Sequence, residues 1–331
     1  MSEEKKNNGM VPGPRELRGL VVRNTGAWYT VLSDGDSPVE IACKIKGNFR
    51  LKGIRTTNPV AVGDYVSVRV ADDGSAFITA IEPRRNYIIR RASNLSKEAS
   101  ILGANLDLAV MVATLRHPST STMFIDRFLA TAEAYGVPAV LVINKIDLLT
   151  DADDLMLLDA VTYLYRSIGY QVVQVSARTG AGVNTLRELL GGKVALLSGN
   201  SGVGKSTLIN DLIPGAALRT GEISDVHDQG MHTTTFSEMC QLPGEKGGWI
   251  IDTPGVRGFG TLDFNASEVS HYFPEIFKVS QGCRYGNCTH THEPGCAVRD
   301  AVDQQLIAAS RYASYLSVLD DIDQGKYRKP F

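Results

Sequence analysis

The nucleotide-binding motifs of this chain stand in a rotated order, and that order restricts the fold more than any other feature. Asn144-Lys145-Ile146-Asp147 and Ser176-Ala177-Arg178 come first; Gly199-Asn200-Ser201-Gly202-Val203-Gly204-Lys205-Ser206-Thr207 and Asp252-Thr253-Pro254-Gly255 follow. An ordinary guanine-nucleotide hydrolase opens on its phosphate loop and closes on its guanine-reading loop. Here the parts are present but the chain begins in the middle. The sequence therefore predicts a circularly permuted P-loop GTPase domain whose ends emerge beside the nucleotide switch.

Local context supports each motif. Residues 199–207 fit GxxxxGKS between an apolar run at 194–198 and a helical stretch at 207–212. Glycines let backbone N–H groups approach phosphates, and the helix N-terminus adds favourable partial charge. Lys205 is expected on the β- and γ-phosphates and the Ser206 hydroxyl on Mg²⁺. Asp252 ends the run Trp249-Ile250-Ile251, where a carboxylate holds Mg²⁺ directly or through water, and Gly255 offers its N–H to the γ-phosphate. Asn144, Lys145 and Asp147 follow the apolar run 137–143, which presents them at the carboxyl edge of a sheet. The Asp147 carboxylate matches N1–H and the exocyclic amine of guanine, a donor pair that adenine lacks. Ser176 and Ala177, after a strand of their own, place a backbone N–H near guanine O6.

Thr233, Thr234 and Thr235 lie between the phosphate loop and Asp252, where a γ-phosphate-sensing threonine belongs; Thr234 is the first choice and its neighbours the alternatives. Val256 follows Gly255, where many such hydrolases carry a water-orienting glutamine. Valine can neither orient nor polarise water, so another group or a partner must complete the site, and intrinsic turnover is expected to be slow. His232 is the candidate catalytic residue, against the alternative of an exposed loop histidine with no part in the chemistry.

Around this domain the pattern changes twice. Residues 18–83 read as short strands separated by turns at Asp34-Gly35, Gly63-Asp64 and Asp72-Asp73-Gly74, which suits a small closed barrel, an OB-fold in the first place. Residues 84–262 alternate apolar strands with helices, the signature of a parallel sheet covered on both faces. Residues 263–331 hold a Cys/His cluster and a helical run from Ala301 to Asp323. The polar residues 1–17 are expected to form a disordered tail. The predicted architecture is thus multidomain α/β, with an N-terminal OB-fold β-barrel, the permuted domain and a C-terminal helical zinc-binding domain.

With 43% hydrophobic and 21% charged residues the chain has the composition of a soluble globular protein. No apolar run approaches the roughly 18 residues needed to span a bilayer, and the polar start at Met1 has no apolar signal core, so a cytoplasmic location and no membrane partner are expected. The net charge of -2 excludes general attraction to nucleic acid, leaving RNA contact to local patches: Arg84, Arg85, Arg90, Arg91 and Lys97, the basic stretch Lys44–Asn58, and Lys326, Arg328 and Lys329. Solvated surface charge explains each patch equally well.

Of the five cysteines, Cys283, Cys288 and Cys296 fall in one short segment with His290 and His292. Three thiolates and an imidazole suit one tetrahedral, structural Zn²⁺ with no open position for substrate. His290 is the expected fourth ligand and His292 the alternative.

The whole pattern resembles the RsgA (YjeQ) family of circularly permuted GTPases that depend on the small ribosomal subunit. The likeness runs over nearly the full chain and rests on Asn144–Asp147, Gly199–Thr207, Gly230–Thr235, Asp252–Gly260 and the spacing of Cys283, Cys288, His290 and Cys296. Met231 departs from the polar residue of relatives. The resemblance implies a late-stage maturation factor of the small (30S) subunit, a monomeric protein in contact with rRNA, stimulated by the subunit to hydrolyse GTP and then released as GDP forms. It also implies His232 as the catalytic histidine and zinc on the four residues just named. A different class, a guanine-nucleotide-sensing RNA-binding module with negligible catalysis, draws support from Val256. An ATPase or kinase conflicts with Asn144 and Asp147.

Overall fold

The computed structural model describes residues 15–45, 59–91, 99–216, 237–252 and 265–323. The N-terminal strands are β1 (Arg15–Asn24), β2 (Tyr29–Ser33), β3 (Glu40–Ile45), β4 (Tyr65–Val70) and β5 (Ala76–Ile81). β1 pairs antiparallel with both β2 and β4, β2 with β3, and β4 with β5, while β3 and β5 run parallel and close the ring. This is the OB-type barrel expected from the turn spacing. Its interior is filled by Val21, Tyr29, Val31, Cys43, Val66, Val68 and Ile78, the inward residues of alternating strands.

A hairpin of β6 (Tyr87–Arg91) and β7 (Ala99–Ala104) follows the barrel. In the sequence only the basic residues of this segment stand out, because the arginines mask a short apolar alternation. Arg84 and Arg85 are not a free cationic patch. Arg84 is buried against Asp64, with its Nε 2.7 Å from Oδ1, and Arg85 pairs with Asp107 at 2.6 Å. Lys97, most of the stretch after Lys44 and the C-terminal lysines lie outside the described residues.

The central domain runs β8 (Leu108–Ala113), α1 (Thr122–Ala134), β9 (Ala139–Ile143), α2 (Ala152–Ile168), β10 (Gln171–Gln174), α3 (Val183–Leu190), β11 (Val194–Ser198), α4 (Lys205–Leu212), β12 (Ser237–Gln241) and β13 (Trp249–Asp252). Its strands lie in the order β10-β9-β8-β11-β13-β12, all parallel except β12. Every residue of β8 is buried, and the alternation splits them between two cores. Met111 and Ala113 face Ile125, Phe128 and Leu158 of α1 and α2, whereas Val110 and Val112 face Leu186, Leu208 and Ile209 of α3 and α4. Side-chain caps start both long helices: Ser121 accepts from the Phe124 N–H and Asp151 from the Asp154 N–H. Gly169, at φ 119°, ends α2.

The C-terminal part contains α5 (Pro274–Ser280), α6 (Ala297–Asp303) and α7 (Ala309–Asp323). The single helical run expected from Ala301 is thus two helices. Gln305 adopts a left-handed φ of 60°, and the Leu306 N–H turns back to the Ala301 carbonyl, which breaks the run without glycine or proline. Val269, Phe273, Ile276, Val298, Tyr315 and Val318 form its core, which takes in Ala130 of α1.

Candidate nucleotide site and metal centre

Asn144–Asp147 follows β9, Ser176–Arg178 follows β10, the 199–204 loop joins β11 to α4, and Asp252 closes β13. All four positions are the carboxyl ends of parallel strands. Rotation of the sequence has therefore left the motifs at one sheet edge, and β11 sits between β8 and β13 where the strand order reverses.

The loop geometry explains its residue types. A Cβ at Gly199 would lie 2.2 Å from the Val112 carbonyl oxygen, and one at Gly204 2.6 Å from Asn144 Nδ2. Gly204 also needs a φ of 86°, in the left-handed region. The Lys205 ammonium is folded back on the loop, donating to the carbonyls of Gly199 and Asn200 at 2.7 and 3.1 Å. Ser206 is half-buried in the first turn of α4, and Asn200, Ser201, Gly202 and Thr207 line the outer rim, while Val203 is anchored in the core.

Burial pulls the Lys205 pKa down, with Asp252 opposing the shift. Burial likewise pushes the Asp252 carboxyl up, with Lys205 opposing. Among the described residues Asp252 Oδ1 is buried without a hydrogen-bond partner. An orphaned carboxylate oxygen at this place fits a hard cation, which would favour the ionised form against the effect of burial.

Asn144 has a structural role beyond the guanine-reading motif. Its Nδ2 donates to the Val203 carbonyl at 2.9 Å and its Oδ1 accepts the Ala177 N–H at 3.1 Å, so one buried amide clasps all three loops. Of the backbone N–H groups of this motif, that of Ala177 is thus engaged by Asn144. The Ser176 hydroxyl donates to Asp147 Oδ1 at 2.6 Å and fixes the carboxylate. Lys145, at φ 62°, reaches the His117 carbonyl. Thr233, Thr234, Thr235, His232 and Gly255 lie outside the described residues.

The second cluster is Cys283, Cys288, His290 and Cys296, whose ligand atoms all lie within 4.8 Å of one another. His290 Nδ1 is 3.5 Å from the sulfurs of both Cys283 and Cys296, which are 4.0 Å apart. Tetrahedral Zn–S and Zn–N bonds imply edges of roughly 3.6–3.8 Å, so the donor set fits that ion. His290 is buried, whereas His292 is exposed and bonded through Nδ1 to the Thr291 hydroxyl. Glu293, which the sequence reading passed over, accepts from the Thr289, Thr291 and His292 N–H groups and ties the loop together. Those bonds hold its carboxyl well below the usual range, against the opposing effect of burial. Tyr312 and Tyr315 donate to the carbonyls of His290 and Thr289 and anchor the loop on α7.

The family model described as RsgA N-terminal domain matches residues 18–78, and that described as RsgA GTPase matches residues 81–262. A protein of Bacteroides thetaiotaomicron named small ribosomal subunit biogenesis GTPase RsgA 2 is 59% identical over 315 residues, covering 95% of this chain and all of that one. The protein named small ribosomal subunit biogenesis GTPase RsgA of Porphyromonas gingivalis is 60% identical over 319 residues, with coverage of 95% and 100%. Among solved structures, YjeQ from Thermotoga maritima superimposes with a TM-score of 0.74 at 34% identity, covering 93% of this chain and 99% of its own. YloQ, described as a circularly permuted GTPase, gives 0.71 at 28% identity, covering 99% and 100%. With its barrel, its permuted loop order and these matches taken together, the chain belongs to the RsgA family of GTPases.

Proposed function

We propose that this protein is a GTP hydrolase acting in biogenesis of the small ribosomal subunit, as the names of its relatives state for them. The observation that carries the nucleotide reading is the Asn144 clasp, which gathers the loops after β9, β10 and β11 into one cradle. Asp147 and Asn144 read guanine, Lys145 lies along the base, and Ser176 and Ala177 close its far side. Residues 199–207 wrap the phosphates, Lys205 neutralises them, and Thr234 and Gly255 sense the γ-phosphate.

Mg²⁺ would be held by Ser206 and, directly or through water, by Asp252; bound there it supplies charge neutralisation of the phosphates. His232 is the residue proposed to handle the attacking water, since Val256 cannot. Cys283, Cys288, His290 and Cys296 hold one structural Zn²⁺. We assign residues 18–83 to the barrel, 84–262 to the GTPase domain and 263–331 to the zinc-binding part. The protein works as a cytoplasmic monomer, with the small subunit and its rRNA as partners; among the described residues no helix is long and apolar enough to cross a membrane.

Competition binding tests the guanine reading. The wild type is expected to prefer GTP over ATP and xanthosine triphosphate, and Asp147→Asn to reverse the preference between GTP and xanthosine triphosphate. An unaltered preference in Asp147→Asn contradicts it.

A further inference from the structure

The barrel and the GTPase sheet are one continuous sheet, joined where β1 pairs antiparallel with β12. The junction is short, with Arg23 opposite Glu238 and Asn24 opposite Ser237. The pairing of β1 with β2 shifts register between Val21 and Arg23, just where β1 begins to pair with β12. On the other side of β12, Glu238 stands opposite Asp252. Arg23, Glu238 and Asp252 therefore occupy one row across three strands, and cross-strand partners present their side chains to the same face.

We propose that Arg23 is a positioning residue for Asp252, tying the N-terminal barrel through Glu238 to the strand pair that carries the carboxylate of the nucleotide site. The proposal rests on the reading of Asp252 as part of the Mg²⁺ site. Arg23 Nε and Nη2 converge on Glu238 Oε1 at 3.0 and 2.5 Å. Cys240, two residues further on β12, lies on the same face. Burial pushes its thiol up, Glu238 and Asp252 add to the shift, and Arg23 opposes it. The Arg23 and Glu238 side chains are 44% and 49% exposed, and such surface pairs add little to stability. The pair's effect is on register. Asp252 is laddered on one side to Leu197, which leads into the phosphate loop, and on the other to Glu238. A displacement of β12 therefore reaches the carboxylate through backbone hydrogen bonds. Coupling between sites is reciprocal, so a load on the barrel and occupancy of the nucleotide site bias one another.

The test titrates Mg²⁺ against fluorescent GDP binding to the full chain, beside GTP turnover with and without small ribosomal subunits. Arg23→Glu should raise the Mg²⁺ concentration at half-saturation about fivefold, the lower end of ordinary coupling between sites. The charge swap Arg23→Glu/Glu238→Arg should return it to within about twofold of wild type, with Arg23→Ala intermediate. An unchanged Mg²⁺ requirement in Arg23→Glu, or a swap no better than the single variant, overturns the proposal. Asp252→Asn separates the two readings. If it leaves the Mg²⁺ requirement untouched, the assignment of Asp252 fails; if it is defective while Arg23→Glu is normal, only the tie to the barrel fails.

Discussion

The buried carboxamide of Asn144 donates to the carbonyl of Val203 across 2.9 Å, joining the guanine-reading loop to the phosphate loop. The same side chain accepts the Ala177 N–H. Loss of this amide leaves a buried donor and a buried acceptor unsatisfied, at a cost of roughly 1–3 kcal/mol. Asn144→Ala is accordingly expected to weaken GDP binding about tenfold or more, read by isothermal titration. Wild-type affinity in this variant would show that the loops hold their places without the clasp.

Asp126 is the corresponding node between the central domain and the C-terminal helices. Fully buried on α1, it receives Arg311 Nη1 at 2.8 Å, the Ser314 hydroxyl at 2.6 Å and the Tyr165 hydroxyl at 2.7 Å. Glu275 takes the remaining guanidinium face at 2.6 and 3.1 Å. Removing one partner of a buried pair strands the other charge, so Arg311→Met should destabilise the protein by about 3 kcal/mol. Chemical denaturation checks it, and a change near zero would mean that the network is not required for docking.

Metal chemistry divides the two histidines. Emission spectroscopy should find one zinc per chain, lost in His290→Ala and retained in His292→Ala, because only His290 sits among the thiols. Chelation should unfold the loop that Tyr312 and Tyr315 hold from α7. Zinc retention in His290→Ala would move the fourth ligand elsewhere.

His232→Ala should lower subunit-stimulated turnover by about a hundredfold, the lower range for general acid–base groups, with GDP affinity unchanged. Equal turnover would remove the catalytic assignment and leave the nucleotide cradle standing.

Motif-bearing strands were legible because period, loop chemistry and motif spacing agreed at Asn144–Asp147, Ser176, Gly199–Thr207 and Asp252. The barrel was legible from its turn residues. What escaped the sequence depends on contacts between distant segments. Arg84 and Arg85 look like surface charge until Asp64 and Asp107 arrive beside them. The Arg23–Glu238–Asp252 row joins residues more than two hundred positions apart, and no local pattern announces it. Arg311 and Asp126 read as ordinary helix charges, although both are buried by tertiary packing. The break at Gln305 carries no glycine or proline signal, so a helix-period reading runs through it.

GTP turnover measured over a range of purified small ribosomal subunit concentrations tests the central claim most directly. Slow hydrolysis by the protein alone, rising steeply and saturably with added subunits, is the predicted result. Turnover that stays flat across that range would contradict it.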